Sequence, residues 1–335
     1  MITDDVKLNL KLFDEDIEQV PSRNGYGEGL VLAGEENPNV VALCADLTES
    51  TRTQAFKDKF PDRFVEIGVA EQNLAALASG MAAVGKIPFI TSYAMFSPGR
   101  NWEQIRTTIC YNDQPVKIIG SHAGISVGPD GATHQALEDM AIMRALPNMV
   151  VIAPCDAIEA KKVTLAIAKT KEPSYIRLSR EGVPVITTEN TPFEIGKAEV
   201  YYDPSASSGR ADVAVIACGQ MVYRSLLAAK ELEESKISVR VINCSTIKPL
   251  DKDTLLKAAE ECGAIVTVEE HQVNGGLGSA VAELISQNFP VPMKIIGVED
   301  RFGESGEPNE LLEKFGLTKE AIIKAVTSVL RMKEK

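Results

Sequence analysis

The chain has 335 residues, of which 44% are hydrophobic and 24% are charged, a composition typical of a globular protein with room for two domains. Its formal net charge of −12 at pH 7 argues against nucleic acids and anionic membrane surfaces as partners. The start, MITDDVKLNLKLF, lacks a basic segment followed by an apolar run, and no stretch approaches the roughly 20 apolar residues of a membrane span. Six scattered cysteines without a CxxC pair indicate small core residues of a cytoplasmic protein.

Strand and helix patterns alternate along the first part of the chain. Apolar runs predict strands at 39–46, 64–68, 86–92, 116–121, 149–153 and 174–179. Helical spacing predicts intervening helices at 51–60, 70–84, 101–112 and 157–169. This order predicts a mostly parallel sheet that is covered by helices on both faces.

A second alternation follows a stretch rich in turn residues. Strands are predicted at 213–217, 239–242 and 264–268, and helices at 220–234, 253–262, 276–288 and 318–331. We therefore predict two doubly wound α/β domains, at 1–188 and 213–335, joined by a linker and loop at 189–212.

The segment FVEIGVAEQNLAALASG (64–80) reads as a buried strand followed by an amphipathic helix, with Glu71 in the first helical turn. In open α/β sheets, ligands bind at such turns from strand to helix. A carboxylate walled by Val69 and Leu74 would have its pKa raised by desolvation and would hold or pass a proton. The alternative is that Glu71 only complements the helix dipole.

The segment GSHAGISVGPDGATHQALEDM (120–140) follows a predicted strand and holds two of the three histidines, His122 and His134, with Asp130 between them. Glycines allow a close approach to a ligand, and histidine can move a proton near neutral pH. The alternatives are a metal site, for which the usual ligand spacing is missing, and a surface loop with incidental histidines.

Both segments resemble those of transketolases, and GVAEQN is also similar to the matching segment of deoxyxylulose-phosphate synthases. These enzymes use thiamine diphosphate. The resemblance implies that Glu71 hydrogen-bonds N1′ of the aminopyrimidine ring and activates the cofactor. It also implies that His122 and His134 line the sugar channel, where they bind and protonate substrate oxygens, and that Asp130 binds a sugar hydroxyl.

Further segments resemble other parts of the same site. SREG (179–182) and PSRNGYG (21–27) imply that Arg180 and Arg23 grip a substrate phosphate, a task suited to the planar guanidinium. ADLTES (45–50) implies that Asp46 faces the thiazolium side of the cofactor and that Ser50 faces the phosphate.

TSYAMFSP (91–98) resembles the aromatic segment around the aminopyrimidine, which makes Tyr93 and Phe96 candidate stacking walls. Core packing is the alternative for these rings. The family commonly has a further aromatic residue just after this segment, where this chain has Gly99 and Arg100. Either Trp102 takes over that position or the pocket is more open there.

The diphosphate-binding GDG element with its following asparagine has no counterpart in the sequence. The resemblance therefore covers the pyrimidine-binding and C-terminal domains alone. It implies a split enzyme in which a separate N-terminal subunit holds the diphosphate through Mg²⁺ or Ca²⁺. The family's arrangement implies an α2β2 heterotetramer, with homodimerisation within it and a large apolar interface.

The function implied is transfer of a two-carbon ketol unit from a ketose phosphate to an aldose phosphate, with a link to the pentose phosphate pathway. Two alternatives remain open. One is another thiamine diphosphate enzyme, namely a deoxyxylulose-phosphate synthase-like half or a 2-oxo-acid dehydrogenase β subunit. The other is a non-catalytic partner subunit. The third histidine, His271, is predicted to be structural.

Overall fold

The computed structural model describes residues 1–204 and 210–333, which form two α/β domains. The strands are β1 (Gln19–Pro21), β2 (Val40–Cys44), β3 (Phe64–Glu66), β4 (Ile87–Tyr93), β5 (Lys117–Ser121), β6 (Val150–Ile152), β7 (Ser174–Arg177), β8 (Gly182–Pro184), β9 (Glu199–Tyr202), β10 (Val213–Ala217), β11 (Val239–Asn243), β12 (Thr246–Lys248), β13 (Ile265–Gln272) and β14 (Met293–Val298). The α-helices are α1 (Ser22–Glu36), α2 (Gln54–Lys59), α3 (Glu71–Ala83), α4 (Trp102–Gln104), α5 (Asp139–Arg144), α6 (Ala157–Ile167), α7 (Met221–Glu234), α8 (Lys252–Cys262), α9 (Leu277–Asn288), α10 (Pro308–Lys314) and α11 (Lys319–Lys333).

The first domain is built on a seven-stranded sheet in the order β12-β6-β7-β5-β4-β2-β3, parallel except at β12. Alternate residues of each strand enter different cores, as the two-residue period of a strand requires. On β2, Val40 and Ala42 join a cluster with side chains of α1 and α6, whereas Val41 and Leu43 join one with α3. The predicted parallel sheet with two covered faces is thus confirmed.

The second domain has a five-stranded sheet in the order β14-β13-β10-β11-β9, in which only β9 is antiparallel to its neighbour. Strand β9 lies inside the segment 189–212, for which a linker and loop are predicted. The strand was not predicted because it is a short edge strand surrounded by turn residues. Residues 205–209 of that loop lie outside the described residues.

The two domains share both sheet and core. Strand β12 of the second half pairs with β6 of the first, and one apolar cluster contains Ile118 and Val151 together with Ile216 and Ile242. Such a continuous buried contact holds the domains in one arrangement.

Two predicted features of the segment 64–84 differ in the structure. Strand β3 is a half-buried edge strand rather than a buried one, since it has a neighbour only at β2. The apolar face predicted for the helix is buried at Leu74 and Ala78 but exposed at Leu77 and at the following Val84. The apolar residues of this helix therefore extend over a wider surface than the rest of this chain buries.

The predicted helix at 101–112 begins with α4 and continues as a π-helical stretch, Ile105–Cys110. All six cysteines are buried and unpaired by disulfides, as predicted. In the described part of the chain, no helix combines the length and apolarity needed to span a membrane.

Helix α1 packs against α6 through glycine. A Cβ on Gly25 would lie 1.7 Å from the carbonyl oxygen of Ala157, so this crossing has no room for a side chain. We expect Gly25→Ala to lower the free energy of unfolding by about 1–3 kcal/mol or more, because backbone atoms must move apart. Urea denaturation monitored by circular dichroism measures this.

Gly80 provides the matched control, since it also lies within a helix but a Cβ there meets no atom within 4 Å. Gly80→Ala should raise stability by about 0.5–1 kcal/mol through higher helix propensity. Equal effects of the two substitutions would contradict the packing argument.

Candidate functional site

The predicted site residues follow the carboxyl ends of neighbouring strands. Asp46 and Ser50 follow β2, Glu71 follows β3, and Arg180 follows β7. Tyr93 ends β4 and is followed by Phe96, and His122 directly follows β5 in the loop that also carries Asp130 and His134. Because β2 to β5 and β7 are parallel, these segments all emerge at one edge of the sheet, the usual ligand-binding edge of open α/β folds.

The segments that carry the two predicted phosphate-binding arginines, Arg23 and Arg180, are joined to each other. Strands β1 and β8 pair next to them, and the Ser22 and Ser179 hydroxyls lie 3.0 Å apart. The backbone N–H of Ser179 also donates to Ser22 Oγ at 2.8 Å. Arg23 and Arg180 therefore start from fixed neighbouring positions.

Arg23 links the arginines to His122. Its Nη1 donates to the carbonyl oxygen of Ser50 at 2.7 Å and to Nε2 of His122 at 3.1 Å. Arginine can only donate, so Nε2 accepts and the proton of the neutral ring is on Nδ1, 2.9 Å from Ser121 Oγ. His122 also has a φ of 55°, a left-handed conformation that is uncommon outside glycine.

Burial, followed by the nearby charges of Arg23 and Arg180, lowers the pKa of His122 to about 3. The imidazole is therefore neutral at physiological pH, and its Nε2 has no proton to give. Of the two roles predicted for His122, this geometry favours substrate binding through Arg23 over protonation of the substrate.

The predicted stacking walls form one group with the histidines. The rings of Tyr93 and His122 stack with centroids 3.9 Å apart, and the rings of Phe96 and His134 meet edge to face at 5.3 Å. Tyr93 and Phe96 are half-buried rather than fully enclosed, which leaves ring surface available to a ligand. His134 is held through Nδ1, 2.9 Å from Thr133 Oγ1.

Glu71 lies at the start of α3 and is 2% exposed. Its carboxylate is 3.4 Å from Nη1 of Arg100, and its backbone carbonyl accepts from Asn101 Nδ2 at 3.0 Å. Leu74 is buried, as a wall of the carboxylate would be. Val69 is 67% exposed, so the prediction that it walls the carboxylate is wrong. Val69 precedes the helix, at a point where the chain runs along the surface.

Trp102 does not take the place of the missing third aromatic residue. Its indole N–H donates to the carbonyl of Ile142 at 3.0 Å, and the ring packs against the core cluster shared by the domains. Gly99 and Arg100 are exposed, which is compatible with the alternative of a more open pocket.

Two predicted residues remain apart from this group. Asp46 is exposed, has a φ of 58°, and its backbone N–H donates to Glu66 at 2.7 Å. Asp130 is exposed in the glycine-rich loop. Neither carboxylate contacts the ring and arginine group within the described chain, so the geometry of this chain leaves both facing outward.

The second domain holds the loop that carries His122 and His134. Glu270 Oε1 accepts from the backbone N–H of Ser126 at 2.7 Å, and Gln135 Nε2 donates to the carbonyl of Glu304 at 3.0 Å. A Cβ on Gly131 would lie 2.5 Å from Ser305 Oγ, which shows how closely the loop approaches the second domain.

His271 lies in the same interface and is fully buried. Its Nδ1 lies 2.8 Å from the carbonyl of Gln272, and burial lowers its pKa to about 4. These contacts agree with the structural role predicted for it.

The residues fit the pyrimidine and sugar ends of thiamine chemistry. Arg23 Nε, Ser92 Oγ and Asn101 Oδ1 are buried without a hydrogen-bond partner in the described chain, and all three lie in or beside this group. Buried polar atoms are normally paired, and half-buried Arg23 is a position where a ligand would supply the partner, whereas Ser92 and Asn101 are fully enclosed. Among residues 1–204 and 210–333, no three His, Cys, Asp or Glu side chains are grouped to hold a metal ion.

Sequence reasoning missed the contact between Arg100 and Glu71, and the role of Asn101 beside it. These residues lie about thirty positions from Glu71 and carry no periodic signal. The strand order was needed to see that β3 and β4 end on either side of β2.

The histidine pKa values generate a direct test. We expect the His122 and His271 imidazole resonances to stay in the neutral form between about pH 8 and pH 5, because their pKa values lie well below the usual value of about 6.5. NMR of labelled histidines measures this, with His122→Gln used for assignment. Titration of His122 with a midpoint above about pH 6 would contradict the geometry.

The same shifts predict the sign of the pH dependence of stability. Below about pH 6.5 the unfolded chain binds protons at these two histidines while the folded chain does not. The free energy of unfolding should therefore fall as the pH is lowered toward their folded-state values of about 3 and about 4.

Comparison with known proteins agrees with both domains. Residues 18–185 match the family model of the transketolase pyrimidine-binding domain, and residues 206–322 match that of the transketolase C-terminal domain. The 6-deoxy-6-sulfo-D-fructose transketolase subunit of a Clostridium strain is 38% identical over 96% of this chain and 98% of its own length. A subunit of the apulose-4-phosphate transketolase of Phocaeicola vulgatus is 36% identical over 93% of this chain and 98% of its own length.

A solved structure described as a split gene transketolase, inactive beta4 tetramer, superposes with a TM-score of 0.87. It is 45% identical in sequence and covers 94% of this chain and 99% of that one. The chain therefore belongs to the transketolase family and contains its pyrimidine-binding and C-terminal domains.

Proposed function

We propose that the chain is the C-terminal subunit of a two-chain transketolase that transfers a two-carbon ketol unit from a ketose phosphate to an aldose phosphate. One observation carries the proposal. A buried carboxylate (Glu71), a ring group (Tyr93, Phe96) and an arginine bound to histidine (Arg23, His122) emerge at the same sheet edge. Binding, proton contact and anion recognition are the three tasks of such a reaction.

Thiamine diphosphate, when bound, would supply the carbon nucleophile of ketol transfer. In this proposal Glu71 hydrogen-bonds the aminopyrimidine ring and holds the proton contact on which activation depends. Tyr93 and Phe96 provide the stacking surface, and Asp46 faces the thiazolium side. Arg100 is the present partner of the Glu71 carboxylate, so its exposed side chain must yield room to the ring.

The sugar channel in this proposal runs past His134 to the arginines. His134 is the candidate for moving a proton at the substrate hydroxyl, since its ring lies against Phe96 and its Nε2 is not used by Thr133. Asp130 binds a sugar hydroxyl, and Arg23, Ser50 and Arg180 hold the phosphate, with neutral His122 orienting Arg23 for this. A guanidinium oriented by a neutral imidazole presents fixed donors to an anion.

The diphosphate and its Mg²⁺ or Ca²⁺ are assigned to a separate N-terminal subunit in an α2β2 assembly that includes homodimerisation of this chain. The exposed apolar residues Val69, Leu77 and Val84 on and beside α3 support a covered face there. Relatives described as transketolase subunits support the two-chain arrangement. We expect a cytoplasmic enzyme with a role in pentose phosphate metabolism.

The first measurement is ketol transfer from xylulose 5-phosphate to ribose 5-phosphate, with thiamine diphosphate and Mg²⁺ present. The chain should be inactive alone and active with a co-purified N-terminal subunit, because only the mixture contains both ends of the cofactor site. Activity of the chain alone would refute the two-chain arrangement. Inactivity of a confirmed complex with every ketose donor would refute the ketol transfer itself.

Glu71→Gln should leave assembly intact and lower kcat by about a hundredfold or more, because the amide cannot supply the carboxylate's proton contact. Analytical ultracentrifugation and steady-state kinetics of the complex measure the two properties. Glu260→Gln is the matched control, since that exposed glutamate of α8 lies in the second domain, on a surface outside the proposed site. Near wild-type turnover of Glu71→Gln would overturn its central role.

A further inference from the structure

Glu66 is the last residue of β3, and it lies where two segments of the candidate site begin. Strands β2 and β3 pair so that Cys44 and Glu66 are neighbours at the carboxyl ends of the two strands. The loop after β2 carries Asp46 and Ser50, and the segment after β3 leads into α3 at Glu71. A side chain at this position can therefore contact both segments.

The Glu66 carboxylate contacts both segments through three hydrogen bonds. Its Oε1 accepts from the backbone N–H of Asp46 at 2.7 Å and from the backbone N–H of Gly68 at 3.0 Å. Its Oε2 accepts from the Thr48 hydroxyl at 2.9 Å. A carboxylate only accepts hydrogen bonds, and its charge makes each of them stronger than a bond between neutral groups. One side chain thus joins both segments at the end of β3.

The two backbone groups that Glu66 binds belong to residues with left-handed conformations. Asp46 has a φ of 58° and Gly68 has a φ of 71°. This conformation is uncommon for a residue other than glycine and costs free energy, so at Asp46 it persists only where surrounding contacts hold it. The carboxylate of Glu66 therefore stabilises the turn at which each segment leaves the sheet.

The loop after β2 extends the contact of Glu66 as far as Arg23. The Thr48 carbonyl accepts from the backbone N–H of Thr53 at 3.0 Å, which closes the loop on itself. Ser50 lies within this closed loop, and its carbonyl accepts from Nη1 of Arg23 at 2.7 Å. The same Nη1 donates to Nε2 of His122 at 3.1 Å. A displacement of Thr48 would therefore be transmitted to Arg23 and His122.

We propose that Glu66 is a positioning residue that sets the separation between the Glu71 carboxylate and the phosphate-binding group around Arg23. This inference rests on the proposed function, in which Glu71 contacts the cofactor and Arg23 contacts the substrate phosphate. Glu66 acts through the two segments that it joins. A reaction that uses both ends of a site is sensitive to their separation, because a misplacement of about 1 Å costs about a hundredfold in rate.

Two substitutions separate the hydrogen bonds of Glu66 from its charge. In Glu66→Gln the amide oxygen can accept from both N–H groups and the amide nitrogen can donate to the Thr48 hydroxyl, so the three contacts persist without the charge. In the complex with the N-terminal subunit, Glu66→Ala should lower kcat/KM for xylulose 5-phosphate about tenfold to a hundredfold. It should also raise the Kd of thiamine diphosphate, measured by calorimetry, about tenfold, whereas Glu66→Gln should stay within about threefold of the wild type.

Glu36→Ala is the matched control. Glu36 is also exposed and lies 3.0 Å from Lys169 Nζ, but it is at the opposite end of α1 from Arg23. This variant should keep wild-type kinetics and Kd. Wild-type values for Glu66→Ala, or a Glu66→Gln variant as impaired as Glu66→Ala, would overturn the inference. Circular dichroism and thermal melting establish folding, and Glu66→Asp, which is too short for all three contacts, replaces an unfolded Glu66→Ala with the same expected direction.

A second readout uses the chain alone, needs no turnover and separates this inference from the proposed function. In Glu66→Ala the amide resonances of Asp46 and Gly68 should shift. The His122 imidazole resonance should shift with them, because the loop after β2 carries a hydrogen-bond partner of Arg23. Glu66→Gln should keep the wild-type His122 resonance. An unchanged His122 resonance in Glu66→Ala would confine Glu66 to a local structural role and refute the inference. Absence of ketol transfer in the wild-type complex would instead refute the proposed function.

Discussion

The candidate site depends on the hydrogen bonds by which the second domain holds the loop after β5. Glu270 accepts a hydrogen bond from the Ser126 backbone, and Arg177 of the first domain donates both to Asp139 and to the Glu270 carbonyl. These contacts are buried, where unpaired groups would be costly, so the loop and the domain interface must form together. His122 is thereby held against Tyr93 and Arg23.

The electrostatics of the site follow from that placement. A histidine on a mobile surface loop would titrate near neutrality, whereas His122 is buried beside arginines and its pKa falls to about 3. The ring then acts as an acceptor that orients Arg23, with its proton directed at Ser121. Positive charge is therefore located on the guanidinium groups, so a chain with a net charge of −12 still has a local group of cations at this sheet edge.

Much of the fold was predictable because the hydrophobic periodicity of single segments indicates strands and helices. Alternating strand and helix runs predicted the parallel sheet, and the residues after each strand predicted one ligand-binding edge. The short strands β9 and β12 were missed because three or four residues carry too little periodicity. The exposure of Val69 and Leu77 was not predicted, because it depends on what covers α3, which the pattern of one chain does not reveal.

The sequence by itself determined the two α/β domains. Through the family resemblance it also singled out Glu71, His122, His134, Arg23 and Arg180 as candidate site residues. Only the tertiary structure decided that Arg100 contacts Glu71 and that Trp102 belongs to the core. Each of these depends on segments that the strand order brings together, and contacts between distant segments leave no periodic trace in the sequence.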